Sequence, residues 1–187
     1  DVLEGQACTT EKIMKEIDDD ASILLSACDN GVLYDSDKFA DLIEDPQNDI
    51  VVWSYRNNYT AYRNPDMYSW LDVDGDDIKG VSVKKFSGGN PVDKHAIVGT
   101  MFFRNKDVYL ESLRQTYRKN VRTNGEFYVD SILNEAIDLG YTVKNFEVDH
   151  YICWGTPDDL NTYRYWQNFF NAVNWHPYDY RKDYLTH

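Results

Sequence analysis

The order of elements in the first 55 residues constrains the fold of this 187-residue chain more than any other feature. Thr9-Thr10, followed by Glu-Lys-Ile-Met-Lys-Glu-Ile, predicts a capped amphipathic helix with Ile13 and Ile17 on one face. Ala21 to Ala27 is a short, mostly apolar run, the mark of a strand buried on both faces. Ser36 predicts the cap of a second helix that carries Phe39, Leu42 and Ile43 and ends before Pro46. Asp49 to Tyr55 reads as a second buried strand. Helix, strand, helix, strand is the alternation of a parallel, doubly wound sheet. The expected class is α/β, with a mixed, mostly parallel central sheet flanked by helices.

Met67 to Val73, the turn Asp74-Gly75-Asp76-Asp77, and Val81 to Phe86 predict a hairpin. Ala96 to Phe103 reads as a third buried strand and Asp107 to Arg118 as a helix. From Val129 to Leu139 a helix places Val129, Ile132, Leu133, Ala136 and Ile137 on one face, and Gly140 stops it. Thr142 to Trp154 is largely extended. A last helix has Thr156 as its cap, Pro157 at its first position and Asp158-Asp159 in its first turn. Its inner face is expected to be Leu160, Tyr163, Trp166, Phe170 and Val173, and the tail from His176 to His187 shows no period. One domain is expected over residues 1–187.

Acidic residues outnumber basic ones, 32 to 19, for a net charge of −13, which argues against non-specific binding to nucleic acid or an anionic membrane. No apolar run approaches the roughly 20 residues that span a bilayer. The first residues lack a basic and an apolar region, so no signal peptide is expected. With 15% aromatic residues the chain can offset its folding entropy, which excludes disorder as its main state. Cys8, Cys28 and Cys153, odd in number and far apart, fit neither a disulfide framework nor a zinc knuckle, and point to a reducing, cytoplasmic compartment.

Several segments could carry chemistry. Asp29 stands at the C-terminal end of a strand, where α/β sheets bind ligands and a carboxylate can hold Mg²⁺ beside substrate phosphates; Asp29-Asn30-Gly31 is equally good turn chemistry. The acidic string Asp72 to Asp77 fails as a calcium loop, because Gly75 is two places early and Val83 holds the twelfth position. It reads as a solvated turn. Lys84 and Lys85 follow a strand, so alternation sends one into the crevice, where it could bind a phosphate, and one away. A plain surface pair is the other reading. Glu126 or Asp130 caps a helix, or Glu126 accepts hydrogen bonds from sugar hydroxyls. There is no Ser-His-Asp spacing, H-E-x-x-H or Walker loop, and the scattered His95, His150, His176 and His187 read as structural.

Taken in order, these segments resemble the nucleotidyltransferases that join a nucleoside triphosphate to a sugar 1-phosphate and release pyrophosphate. Gly5-Gln6-Ala7 looks like the family's base-reading segment, and Cys28-Asp29-Asn30-Gly31 like the strand end that delivers a metal-binding aspartate. Arg63 to Trp70, Val81 to Lys85 and Ala96 to Thr100 resemble its sugar-phosphate half in sequence order. The resemblance assigns the sugar phosphate to Lys84 or Lys85, the sugar pocket to Gly99, and sugar hydroxyls to Glu126 and Asp130. Trp154-Gly155-Thr156 resembles the closing glycine-threonine motif, and the wording around Tyr151 to Pro157 is similar to a branch found near capsule and surface-sugar genes.

The resemblance implies a nucleotide-diphospho-sugar transferase (GT-A-like) fold, Mg²⁺ as cofactor, and an NTP with a sugar 1-phosphate as partners. The chain looks like the C-terminal two-thirds of such a domain, with residues 1–60 completing the nucleotide half and 61–187 forming the sugar-phosphate half. The family's glycine-rich loop and first strands are absent, and Cys153 stands where a second metal aspartate is expected. Asp149 or Asp159 substitutes, or Asp29 holds the metal alone. This chain by itself is then expected to be inactive, with the edge of the strand Ala21 to Ala27 open to self-association or a partner segment. Two other classes stay open: a glycosyltransferase using Asp72 and Asp74, and a non-catalytic module that keeps the sugar pocket.

Overall fold

A computed structural model of the chain describes residues 3–173 and 175. These fall into two compact units, one of residues up to 28 with 32–151, the other of residues 29–31 with those from 152 onward. The division follows packing and not the boundary near residue 60. The tail from His176 to His187 lies outside the described residues.

The first unit holds helices α1 (Gln6–Met14), α2 (Ser36–Glu44), the single turn α3 (Thr60–Arg63), α4 (Lys106–Lys119) and α5 (Val129–Asp138). Its strands are β1 (Ile23–Leu25), β3 (Ile50–Tyr55), β4 (Trp70–Asp74), β5 (Asp77–Ser82), β6 (His95–Phe103) and β7 (Val143–Glu147). The strand β2 (Asn30–Leu33), which begins in the second unit, pairs with β8 (His150–Cys153), and α6 (Pro157–Ala172) follows in that unit.

The sheet runs β1-β6-β3-β7-β5-β4, and β4 returns to β6, so five strands close on themselves. The class is α/β with a mixed sheet, as expected, but the parallel share is small. Only β3–β7 is parallel; β1 and β3 point the same way yet do not touch, because β6 runs antiparallel between them. The alternation of helix and strand reported direction correctly and neighbours incorrectly, because the strand that separates β1 from β3 arrives 40 residues later in the chain.

All six residues of β3 are buried, five of them apolar or aromatic and the sixth Ser54. Ile50 and Val52 join Met101, Phe103 and Val143 in a core covered by α1, α4 and α5. On the other face, Val51, Trp53 and Tyr55 pack with Phe102 and Phe146 under Phe39, Leu42 and Ile43 of α2.

Local signals were displaced by tertiary ones at four places. First, α1 starts at Gln6, so Thr9 and Thr10 lie inside it and donate to the carbonyls of Gly5 and Gln6. Its buried face is Ala7 and Met14, while Ile13 is exposed. Second, the cap of α2 is Asp35, not Ser36; its Oδ1 accepts from the amides of Asp37 and Lys38. Third, β1 is an edge strand with Leu24 exposed, because among the described residues it pairs only with β6. Fourth, α6 has its expected Thr156 cap and Pro157, but none of its side chains is buried, and Trp166 and Phe170 of the expected inner face are exposed.

Candidate functional site

The edge of β6 that faces away from β3 is shared by two strands. Met101 to Phe103 pair with β1, and His95 and Ala96 pair with β4. Between them Gly99 takes φ +95°, and a Cβ there would lie 3.0 Å from the Ala27 side chain. The backbone fork is tied on both sides: Ala27 N–H donates to the Gly99 carbonyl at 3.0 Å, and Ile97 N–H to the Ser69 carbonyl at 2.9 Å. Only glycine allows β1 to approach so closely with that torsion.

At this fork the structure brings together two of the residues expected to act, Lys84 and Asp130. The strand β5 ends at Ser82, so the alternation argument for Lys84 and Lys85 does not apply. Lys84 instead takes φ +49°, a left-handed conformation that costs a non-glycine residue about 1 kcal/mol. Three bonds hold it there. Its amide donates to Ser69 Oγ at 3.4 Å, its ammonium to the Met67 carbonyl at 2.5 Å, and the amide of Phe86 to Asp66 Oδ1 at 2.8 Å. The ammonium also lies 5.9 Å from the centre of the Tyr128 ring. Lys85 is exposed.

Asp130, in the first turn of α5, lies in the field of the Ser69 hydroxyl and of the Lys84 charge. Burial raises its pKa above the ordinary carboxylate value, and those two partners oppose the shift. A cation and a shielded carboxylate beside one another can bind a phosphate through the first and a hydroxyl through the second. The sequence did not point to Ser69. It sits one residue before a strand, between two aromatics, and nothing local marks a serine there.

Glu126 is exposed and lies in a turn closed by paired bonds with Thr123, with Gly125 at φ +84°. It is Asp130, not Glu126, whose titration the Lys84 charge affects. Gln6 is exposed at the first position of α1. That start is fixed by Ala7 N–H donating to the Phe127 carbonyl and Phe127 N–H to the Glu4 carbonyl.

The second unit holds Asp29 and Thr156. The Trp154 amide donates to the Asp29 carbonyl at 2.8 Å, and a Cβ on Gly155 would lie 3.0 Å from Asp29 Oδ2 and 3.6 Å from Cys153 Sγ. Asp29 is exposed. The Thr156 hydroxyl is occupied by capping: it accepts from the Asp159 amide at 3.2 Å and donates to Asp159 Oδ2 at 2.7 Å. Asp159, thus engaged, also accepts a 3.5 Å contact from Cys153. Among the described residues no three His, Cys, Asp or Glu side chains are grouped to hold a metal ion. A Mg²⁺ carried mainly by water and substrate phosphate needs only one or two carboxylates, and exposed Asp29 fits that demand.

A third polar group was not anticipated. Ser54, Asn145 and His95 meet on the inner face of β3, β7 and β6, with Ser54 fully buried. Burial, and then the nearby Arg56 guanidinium, hold the imidazole below its usual pKa, opposed by Glu147. Cys8, Cys28 and Cys153 form no disulfide, and no helix among the described residues is long and apolar enough to cross a membrane.

No protein-family model and no curated protein sequence matches the chain. Solved structures do resemble it. One is a nucleoside-diphosphate-sugar pyrophosphorylase from Vibrio cholerae RC9, with 21% identity and a TM-score of 0.63 over 86% of this chain and 65% of that one. Another is the inositol-1-phosphate CTP transferase of T. maritima, with 15% identity and a TM-score of 0.59 over 91% and 64%. A third is a CMP:2-keto-3-deoxy-manno-octonic acid synthetase complexed with CTP, with 14% identity and a TM-score of 0.57 over 88% and 68%. The chain thus has the fold of these nucleotidyltransferases and spans about two thirds of their length or less.

Proposed function

We propose that this chain is the sugar-phosphate part of a nucleotidyltransferase that joins an NTP to a sugar 1-phosphate, giving an NDP-sugar and pyrophosphate for surface polysaccharide synthesis in the cytoplasm. The observation that carries this reading is the left-handed Lys84, held by the Ser69 hydroxyl and the Met67 carbonyl, with its charge acting on Asp130 at the start of α5. The likeness to nucleotidyltransferase structures supports the class of reaction. In this reading Lys84 orients the attacking sugar phosphate, with Lys85 a lesser contributor to the local field. Asp130 accepts from a sugar hydroxyl, Gly99 lines the sugar pocket, and Glu126 adds a second hydroxyl acceptor. Gln6 reads the base through its amide, and Thr156 fixes the start of α6.

The reaction is an in-line attack on the α-phosphorus, so this chain's residues contribute position and charge. Asp29 would hold Mg²⁺, which neutralises charge on the reacting phosphates when bound. Lys84, already fixed by its own backbone bonds, needs little reordering to meet a phosphate oxygen.

A pyrophosphate-release assay on this chain and on one extended upstream, with a panel of sugar 1-phosphates, CTP, UTP, dTTP and GTP, and Mg²⁺, tests the reading, and release is expected from the longer chain. Release that Asp29→Asn and Lys84→Ala abolish supports it. Sugar 1-phosphate binding without release favours a non-catalytic module. Transfer of sugar from an NDP-sugar to an acceptor favours a glycosyltransferase, although Asp72 and Asp74 sit on the exposed hairpin.

A further inference from the structure

The turn Pro65–Met67 and the residues after it form a seat for the chain that leaves β5. Trp70, the first residue of β4 and 4% exposed, stands opposite Ser82, the last residue of β5. Its indole N–H donates to the Pro65 carbonyl at 2.9 Å, which ties the turn to the sheet. Beyond Ser82 the chain doubles back over that turn. The Phe86 and Trp70 ring centres are 4.8 Å apart, and the Phe86 amide donates to Asp66 Oδ1 at 2.8 Å. Two residues earlier, Lys84 donates through its amide to Ser69 Oγ and through its ammonium to the Met67 carbonyl. Of these three acceptors Asp66 alone is charged, and a carboxylate accepts about twice as strongly as a neutral oxygen.

We propose that Asp66 is a positioning residue for Lys84: its carboxylate pins the Phe86 amide and so fixes the left-handed bend that brings the Lys84 ammonium to the Met67 carbonyl. A residue at φ +49° keeps that conformation only when its surroundings over-determine it. Ser69 and Met67 hold Lys84 itself, and Asp66 holds the chain two residues further on. An ammonium has three protons, so the Met67 bond leaves two for a phosphate, and Lys84 can bind one without leaving its seat. That use of the lysine rests on the sugar-phosphate reading above, whereas the bond network stands on this geometry. The sign of the effect is diagnostic. A carboxylate that only repels a phosphate weakens its binding, and one that positions the lysine strengthens it.

Amide hydrogen exchange by NMR and calorimetry with glucose 1-phosphate test this on the full chain. The samples are wild type, Asp66→Ala, Asp66→Asn, Lys84→Ala and the double variant Asp66→Ala with Lys84→Ala. Asp66 is exposed, so its substitution opens no cavity, and amides of β3 should keep wild-type exchange. In Asp66→Ala the Phe86 and Lys84 amides should both exchange about tenfold faster, and glucose 1-phosphate should bind about tenfold more weakly. Asp66→Asn, which keeps Oδ1 as an acceptor, should restore most of both. In the Lys84→Ala background Asp66→Ala should change binding less than about twofold, because its effect runs through the lysine. Unchanged or tighter binding in Asp66→Ala, or an equal loss in the Lys84→Ala background, overturns the proposal. If wild type does not bind glucose 1-phosphate, the sugar-phosphate reading fails and exchange alone decides the positioning. Lys84 accelerating together with Phe86 then supports it, and Phe86 accelerating alone overturns it.

Discussion

Ser54 donates its hydroxyl proton to Asn145 Oδ1 at 2.6 Å across the β3–β7 pairing, and its oxygen lies 2.9 Å from Nδ1 of His95. That ring nitrogen also lies 3.4 Å from Asn145 Nδ2, so one imidazole edge faces both partners. The cluster joins three strands through side chains at a point where the core is otherwise apolar.

The lowered pKa of His95 has a consequence for stability. The folded protein favours the neutral ring, so its contribution is complete above the unfolded value, near 6.5, and is lost as pH falls from there through the folded value. The urea midpoint should therefore drop between pH 7 and pH 5. In His95→Gln, which retains a donor for Ser54, that part of the drop should vanish. An identical pH slope in the variant would show that other groups cause the loss.

Gly5 has φ +128°, and a Cβ there would lie 2.6 Å from the Phe127 carbonyl oxygen and 2.8 Å from its nitrogen. Both contacts are backbone, so neither can rotate away. Gly5→Ala should destabilise the chain by about 2–3 kcal/mol. Gly140→Ala, at φ +90° with nothing within 4 Å, should cost only about 1 kcal/mol. Equal urea midpoints for the two variants would contradict this ordering.

Arg104 gathers the carbonyls near the end of α2: its guanidinium donates to Ile43 at 2.6 Å, Asp45 at 2.6 Å and Asn48 at 2.8 Å. A lysine cannot reproduce that fork. Arg104→Lys should lower stability by about 1–3 kcal/mol, with Asn48 and Ile43 the first amides to lose protection in hydrogen exchange. A variant with wild-type stability and protection would mean that water replaces the guanidinium without loss.

The two lysines should separate in function. Lys84 is strained, latched and beside Asp130, whereas Lys85 is exposed. Lys84→Ala should weaken sugar 1-phosphate binding about tenfold or more, as expected for loss of a charge-assisted contact, and Lys85→Ala less than about twofold. Calorimetry on both variants checks this, and the opposite order would place the phosphate on Lys85.

Much of the first unit was legible because its signals are local. The runs around Val51 and Val98 are apolar without interruption, as strands with both faces covered must be. Gly75 turns the β4–β5 hairpin at φ +62° and Gly140 ends α5, and in the second unit Thr156-Pro157 starts α6. Asp130 does lie at the helix start where it was expected, whereas β1 ends at Leu25, four residues before Asp29, which instead precedes β2. What misled was equally local: Ser36 next to Asp35, and two threonines ahead of an apolar spacing. Each is a valid cap in isolation, and the choice fell to Asp35, whose Oδ1 reaches two amides, and to Gly5, whose backbone is pinned by Phe127.

The sequence by itself determined which segments become strands and helices, since burial pattern and chain-end hydrogen bonding depend on neighbours a few residues away. Tertiary structure alone decided that β6 lies between β1 and β3, that β4 closes the ring, and that Ser69 meets the amide of Lys84. Those facts depend on pairing across long stretches of chain, where many registers satisfy the same local pattern. Only the joint packing of both sheet faces selects among them.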